Sequence, residues 1–333
     1  MFFNFSSVET TIVTYEHEDH TEDISVTTPA PIRTTSMNEK CSSGAIFTSW
    51  FTYEMDPQRD MEVPHTIDYI WNFYITARFL GINIVFFHDH LSPQFVSKFT
   101  TDEISFEKVL PMKEYSTNDM RFIVYKEFLE RHPFKWILMA DASDVYFNSN
   151  PILNYMSQNQ KNTSLYLSPD TGTFGSNPWM QYLTERCYPE SVESWMYLKV
   201  FNAGVWGGHT SAVSYMLNCI SNELTKNVKG RGNCNMAVLN WCIYFGECAH
   251  KEDLEIDLVK ELFVNPFRQE CNNLTYSVIH SKCRETAGRF CAIVQNNAIQ
   301  YITNDVDVQD KSIQYTSKNG KNCLDLVYNY MST

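Results

Sequence analysis

The stretch Trp136-Ile-Leu-Met-Ala-Asp-Ala-Ser-Asp-Val145 constrains this chain more than any other: a short apolar run breaks off in two carboxylates, Asp141 and Asp144. An apolar run without polar alternation is the pattern of a strand buried on both faces, as in a parallel sheet. The carboxylates then stand where that strand emerges at its C-terminal end, the edge at which open α/β folds bind ligands. Two acids three residues apart repel each other unless a cation lies between them, and a hard divalent ion takes carboxylate oxygens readily. The plainer reading is a polar loop capping the element that starts with Val145-Tyr-Phe, since Asp and Ser favour turns and helix N-caps.

The same texture extends along the chain from Gly44. Ala45 to Trp50 reads as a first strand, and 66–80 as a helix with a wide apolar face that Gly81 stops. Ile82 to Phe87 reads as a second buried strand and 104–110 as a third. Thr117 to Arg131 is a helix entered through Ser116-Thr117-Asn118-Asp119. Beyond the acidic pair, a strand near 164–168 and a helix near 178–186 precede a strand-like turn at Val200 to Gly208. Helices at about 210–225 and 234–245 follow, then short strands near 261–265 and 276–280. Strand and helix alternating at this spacing predict an α/β fold, with a mostly parallel central sheet flanked by helices. Residues 1–40 are rich in Thr, Ser, Glu, Asp and Pro and carry no periodicity, which predicts a disordered stem. The remainder, 41–333, is expected to form one domain.

The 26 Lys and Arg against 39 Asp and Glu leave a net charge of −13, which argues against a nucleic-acid partner. A polyanionic substrate would need a local remedy, and a metal is the obvious one. Nine of the ten cysteines lie at or beyond Cys187 and none forms a C-x-x-C pair, which disfavours a zinc ribbon. An even count, with sequons at Asn4, Asn162 and Asn273, fits disulfides and glycans in a secretory compartment. Met1-Phe-Phe-Asn-Phe is a poor signal peptide, and no run approaches the ~20 apolar residues of a membrane span. A luminal enzyme would need one of these, so the expectation is either an anchor missing from this sequence or a cytosolic protein.

Four further segments bear on chemistry. Arg121 precedes the acidic strand on a helix, and a guanidinium can clamp a diphosphate with its forked donors. Phe201-Asn-Ala-Gly-Val-Trp-Gly-Gly208 sets three glycines beside an amide and an indole, a loop able to admit a sugar or simply a tight turn with a core tryptophan. Asn233-Cys-Asn-Met-Ala-Val-Leu-Asn-Trp241 reads as the start of a buried helix capped by an amide. Tyr276-Ser-Val-Ile-His-Ser-Lys-Cys-Arg284 ends a late apolar strand in His280, a candidate third metal ligand, with Lys282 following.

In this order the segments resemble the GT-A glycosyltransferases, nucleotide-sugar enzymes with a metal-binding DxD-type motif. Nearest in look are members with a D-x-x-D-V version, as in the glycosyltransferase domains of the collagen-modifying lysyl hydroxylases. The resemblance covers roughly 44–290 and implies a Rossmann-like GT-A fold. It also implies a Mn²⁺ or Mg²⁺ ion on Asp141, Asp144 and His280. The Asn202-Ala-Gly204 segment with Trp206 would line the sugars, and Arg121, Lys282 and Thr48 of the first strand would complete the donor site. Asn235 stands where many members carry Asp, and an amide cannot accept a proton at neutral pH. Asp170, in Ser168-Pro-Asp-Thr-Gly, is a candidate base, so Asp170 and Asn235 are the two catalytic candidates. The implied activity moves a sugar from a nucleotide diphosphate donor, UDP-sugar first, to a glycan or glycoprotein hydroxyl, with the protein in the Golgi or endoplasmic-reticulum lumen or secreted.

Two rivals remain on the sequence. A haloacid-dehalogenase-type phosphohydrolase also runs an apolar strand into two aspartates, but at D-x-D spacing and without a following Val145. A carbohydrate-binding protein with a degenerate metal site would accommodate Asn235.

Overall fold

Ile46 and Phe47, adjacent on the first strand, are both fully buried, yet in different cores. Successive strand residues face opposite ways, so a sheet whose two faces are both apolar must be covered on both. The computed structural model describes residues 44–158, 164–250, 255–258, 263–264 and 277–280. The expected stem over 1–40, the sequons at Asn4, Asn162 and Asn273, and Lys282 lie outside the described residues.

The strands are β1 (Ala45–Trp50), β2 (Ile84–His88), β3 (Ile104–Lys108), β4 (Trp136–Ala140), β5 (Val145–Phe147), β6 (Ser164–Thr173), β7 (Lys199–His209), β8 (Glu255–Leu258), β9 (Phe263–Val264) and β10 (Val278–His280). The helices are α1 (Trp71–Phe79), α2 (Pro93–Phe99), α3 (Thr117–Arg131), α4 (Pro178–Cys187), the single turn α5 (Val192–Trp195), α6 (Thr210–Lys226) and α7 (Asn235–Tyr244). Seven strands form the main sheet in the order β3-β2-β1-β4-β7-β6-β8, and β5-β10-β9 form a second, smaller sheet. One core packs α3, α4, α6 and α7 against Phe47, Phe87, Met139 and Trp206 of the main sheet. The other packs α1, α2 and the second sheet against Ile46, Phe86 and Leu138, with the Phe73 and Phe147 rings 4.9 Å apart.

The α/β architecture agrees with the expectation, but the sheet is mixed. From β3 to β4 the neighbours are parallel, whereas β7 runs against both β4 and β6. The segment expected as a strand-like turn, Val200 to Gly208, is the centre of the long, continuous strand β7. Its glycines suggested a turn but serve a different need. A Cβ on Gly207 would fall on the Ile137 carbonyl oxygen, and one on Gly208 on that of Ser164, so bare backbone lets β7 lie between its neighbours.

Element ends follow local chemistry. Ser116 Oγ accepts the Asp119 N–H at 3.2 Å to start α3, and Asn177 Oδ1 accepts from Met180 at 3.2 Å to start α4 at Pro178. Gly81, at φ 59°, turns the chain out of α1. Disulfides join Cys187 at the end of α4 to Cys234 before α7, and Cys219 on α6 to Cys248. Cys242 is buried and free. No helix among the described residues is long and apolar enough to cross a membrane.

Gly207→Ala should therefore destabilise the protein by about 2 kcal/mol or more, as expected where a packed backbone has to shift. Chemical denaturation of the variant beside wild type measures this, and an unchanged midpoint would contradict the close strand packing.

Candidate functional site

Strand β4 is buried along its whole length, and Asp141 is the first residue past its C-terminal end. Its backbone N–H donates to the Gly204 carbonyl at 2.8 Å, which fixes the acidic turn to β7. Arg121, in the second turn of α3, is 6% exposed and joins three elements. Its Nη1 pairs with Asp141 Oδ1, and its Nη2 donates to the Ala203 carbonyl at 3.1 Å. Burial works against the guanidinium charge, but Asp141, Tyr125 and Asp119 together outweigh it and the Arg121 pKa is raised.

Asp144 has a different counter-ion. Its Oδ2 lies 3.4 Å from Arg59 Nη2, while Arg59 Nη1 pairs with Asp56 Oδ2 at 2.8 Å. Asp56 also accepts the Gln58 and Arg59 backbone N–H groups, an Asx turn that shapes the segment after β1. Asp144 is 12% exposed at its side chain and Arg59 34%. Sequence reasoning missed Arg59 and Asp56, for which the only local signal is the turn-forming Asp56-Pro57.

The reversed direction of β7 brings Asn202 to the same edge. Asn202 Oδ1 accepts the Gly204 N–H at 2.6 Å, and its Nδ2 donates to Asp170 Oδ2 at 3.3 Å. Asp141, Arg121, Asn202, Gly204 and Asp170 thus form one connected group. Asn240, deep in α7, clamps the strand just before it. Its Nδ2 donates to the Phe201 carbonyl and its Oδ1 accepts the Phe201 N–H, both at 2.8 Å.

Three sequence candidates fall elsewhere. Trp206 is fully buried opposite Met139, 6.0 Å from the Phe122 ring, so its indole faces the core and offers no surface to a sugar. Thr48 is enclosed within β1, with no hydrogen bond to its Oγ among the described residues. Asn235 is 2% exposed and its Oδ1 takes the Met236 N–H at 2.6 Å, the place of a residue that starts a helix.

Asp141 and Asp144 carry oxygen donors of the kind a hard divalent ion takes, at a strand edge, and each is paired with an arginine. The backbone of His280 pairs with Val145, the residue after Asp144, in antiparallel register. Among the described residues no three His, Cys, Asp or Glu side chains converge as a metal cluster. An open cleft at the same sheet edge is lined by Ser49, Phe51, Asp56, Tyr69, Thr117 and Asn118.

Asp119, which the sequence places at the entry to α3 without revealing its partner, ties the start of α3 to the start of α7. Its carboxylate accepts the Cys234 N–H at 3.0 and 3.2 Å. Burial pushes its pKa up from 3.8 to about 7, against the lowering effect of its bonds to Ser116 and Cys234.

No family model matches the chain, and no curated protein matches it in sequence.

Because the folded-state pKa of Asp119 lies above its unfolded value, the native state binds the extra proton between the two. Stability then falls as pH rises from about 4 to about 7, by at most about 1.4 kcal/mol per pH unit. Asp119→Asn, which keeps an acceptor oxygen for Cys234, should remove that component. Urea midpoints measured across this window check it, and parallel pH profiles for wild type and variant would contradict it.

Proposed function

We propose that this protein is a metal-dependent glycosyltransferase of GT-A type. It moves a sugar from a nucleoside diphosphate donor, UDP-sugar first, to a glycan or protein hydroxyl. The observation that carries the reading is the joining of the acidic turn to the Asn202-Ala203-Gly204 segment through Arg121 and the Asp141 backbone. Two sequence features identified separately, 58 residues apart at the least (Asp144 to Asn202), meet at one sheet edge with Asp170 beside them.

Mn²⁺ or Mg²⁺ held by Asp141, Asp144 and His280 would supply Lewis-acid stabilisation of the charge that develops on the departing diphosphate. The chain's own groups do the rest. Arg121 holds Asp141 in one orientation and cannot swing away without breaking its bond to Ala203. The Asn202 amide is itself fixed, its oxygen by Gly204 and its nitrogen by Asp170. Asp170 is thereby oriented as the carboxylate available to take the acceptor hydroxyl proton, or to face the sugar carbon as charge develops there. Asn235 takes no part in proton transfer, and its position is structural. The Cys187–Cys234 and Cys219–Cys248 bridges support a luminal or secreted setting.

Transfer or hydrolysis of nucleotide sugars with Mn²⁺ tests the reading directly. Asp144→Ala should lower turnover by about 100-fold or more, the scale of losing one group that stabilises transition-state charge. Asn202→Ala should lower turnover while leaving nucleoside diphosphate affinity near wild type. Release of phosphate from simple phosphomonoesters would instead favour the dehalogenase type. Glycan binding without either activity would favour a binding protein.

A further inference from the structure

The two arginines at the acidic edge are not equivalent. Arg121 is enclosed, belongs to a regular helix and is tied to a backbone carbonyl as well as to Asp141. Arg59 is exposed by about a third and lies on the irregular segment between β1 and α1. It divides its two terminal nitrogens between two carboxylates, with a short contact to Asp56 and a long one to Asp144. Both partners carry one negative charge, and the 2.8 Å contact to Asp56 is the tighter hydrogen bond, so the 3.4 Å contact to Asp144 is the one more easily surrendered. Asp56 also lines the cleft at this edge, so the carboxylate that tethers Arg59 belongs to the wall of that space.

Resting on the function proposed above, we propose that Arg59 is a phosphate-binding residue that couples divalent-cation binding to nucleotide binding. Without ligands, Arg59 serves as the counter-ion of Asp144. A divalent cation that takes the Asp144 carboxylate replaces that pairing and frees Nη2 of Arg59, while Asp56 keeps Nη1 and holds the side chain at the cleft. The freed N–H group then donates to a phosphate oxygen of the donor, whose negative charge it meets at short range. The cation and Arg59 compete for Asp144 when no nucleotide is present and act together when it is. Arg121 cannot play this part, because it is itself buried and its departure would break its bonds to both Asp141 and the Ala203 carbonyl.

The test compares wild type, Arg59→Ala and Asp56→Ala by calorimetric titration with Mn²⁺ alone and with UDP in saturating Mn²⁺. In Arg59→Ala, Mn²⁺ alone should bind about threefold more tightly, because a weak competing ion pair is gone. UDP should bind about tenfold more weakly, the scale of one charge-assisted hydrogen bond. Asp56→Ala, which leaves Arg59 in place but untethered, should alter UDP affinity without the tightening of Mn²⁺ seen in Arg59→Ala. A misfolded variant would not gain affinity for Mn²⁺, so the opposite directions of the two effects separate coupling from damage. Wild type that binds UDP with Mn²⁺ while Arg59→Ala matches it in both titrations overturns this role and leaves the proposed activity standing. Wild type that binds no UDP in Mn²⁺ overturns both.

Discussion

The guanidinium of Arg121 is the contact on which the edge of the sheet depends. It sits inside the protein, and a charge there is tolerable only when it is paired and its donors are used. Asp141 and the Ala203 carbonyl meet that need, and in doing so they fix α3, the end of β4 and the start of β7 to one another. Two residues earlier on the same helix, Asp119 accepts from the backbone before α7. The opening turns of α3 therefore hold the elements that carry the candidate site, and removing either acid would strand a buried donor.

The reversal of β7 has a direct chemical consequence. In a wholly parallel sheet the C-terminal edge receives only the ends of strands. An antiparallel strand presents its first residues there instead, so Asn202, Ala203 and Gly204 arrive beside Asp141 while Gly207 and Gly208 lie deep between β4 and β6. Asn202 and Trp206 are only four residues apart, yet one lies at the edge and the other is enclosed opposite Met139. Distance along the strand decides which of them a ligand could reach.

Much of this was legible in the sequence because buried strands leave a strong pattern. Trp136–Ala140 and Ile84–His88 are continuous apolar runs, and Ser116 with Asp119 marks the start of α3 as its side-chain bond requires. What the pattern could not supply was pairing direction and long-range partners. Glycines in β7 signal close backbone approach, and nothing local says whether a ligand or another strand makes it. Arg59 reaches Asp144 across 85 residues and Asp119 reaches Cys234 across 115, separations over which a single sequence holds no record of contact. Asp141, Asp144, Asn202 and Asp170 stand out in the sequence as polar residues beside apolar strands, a pattern visible without any knowledge of partners, whereas the bonds that link Asp141 through Gly204 to Asn202 and Asp170 are not.

The acidic pair also shows why repulsion alone is a weak argument for a metal. Asp141 and Asp144 lie close in sequence at the end of a buried strand, and in this structure each is met by its own arginine. The charge problem is answered by the chain itself, so an incoming cation must displace something, and the two positions differ in what displacement costs. At Asp141 it would strip a buried guanidinium of its carboxylate. At Asp144 it would release a side chain about one-third exposed, which retains Asp56. In a chain of net charge −13 the freed arginine is then a local excess of positive charge at an edge that otherwise repels anions. Entry of a cation at Asp144 would thus prepare the same edge for a polyanion, an order of events set by burial and not by sequence spacing.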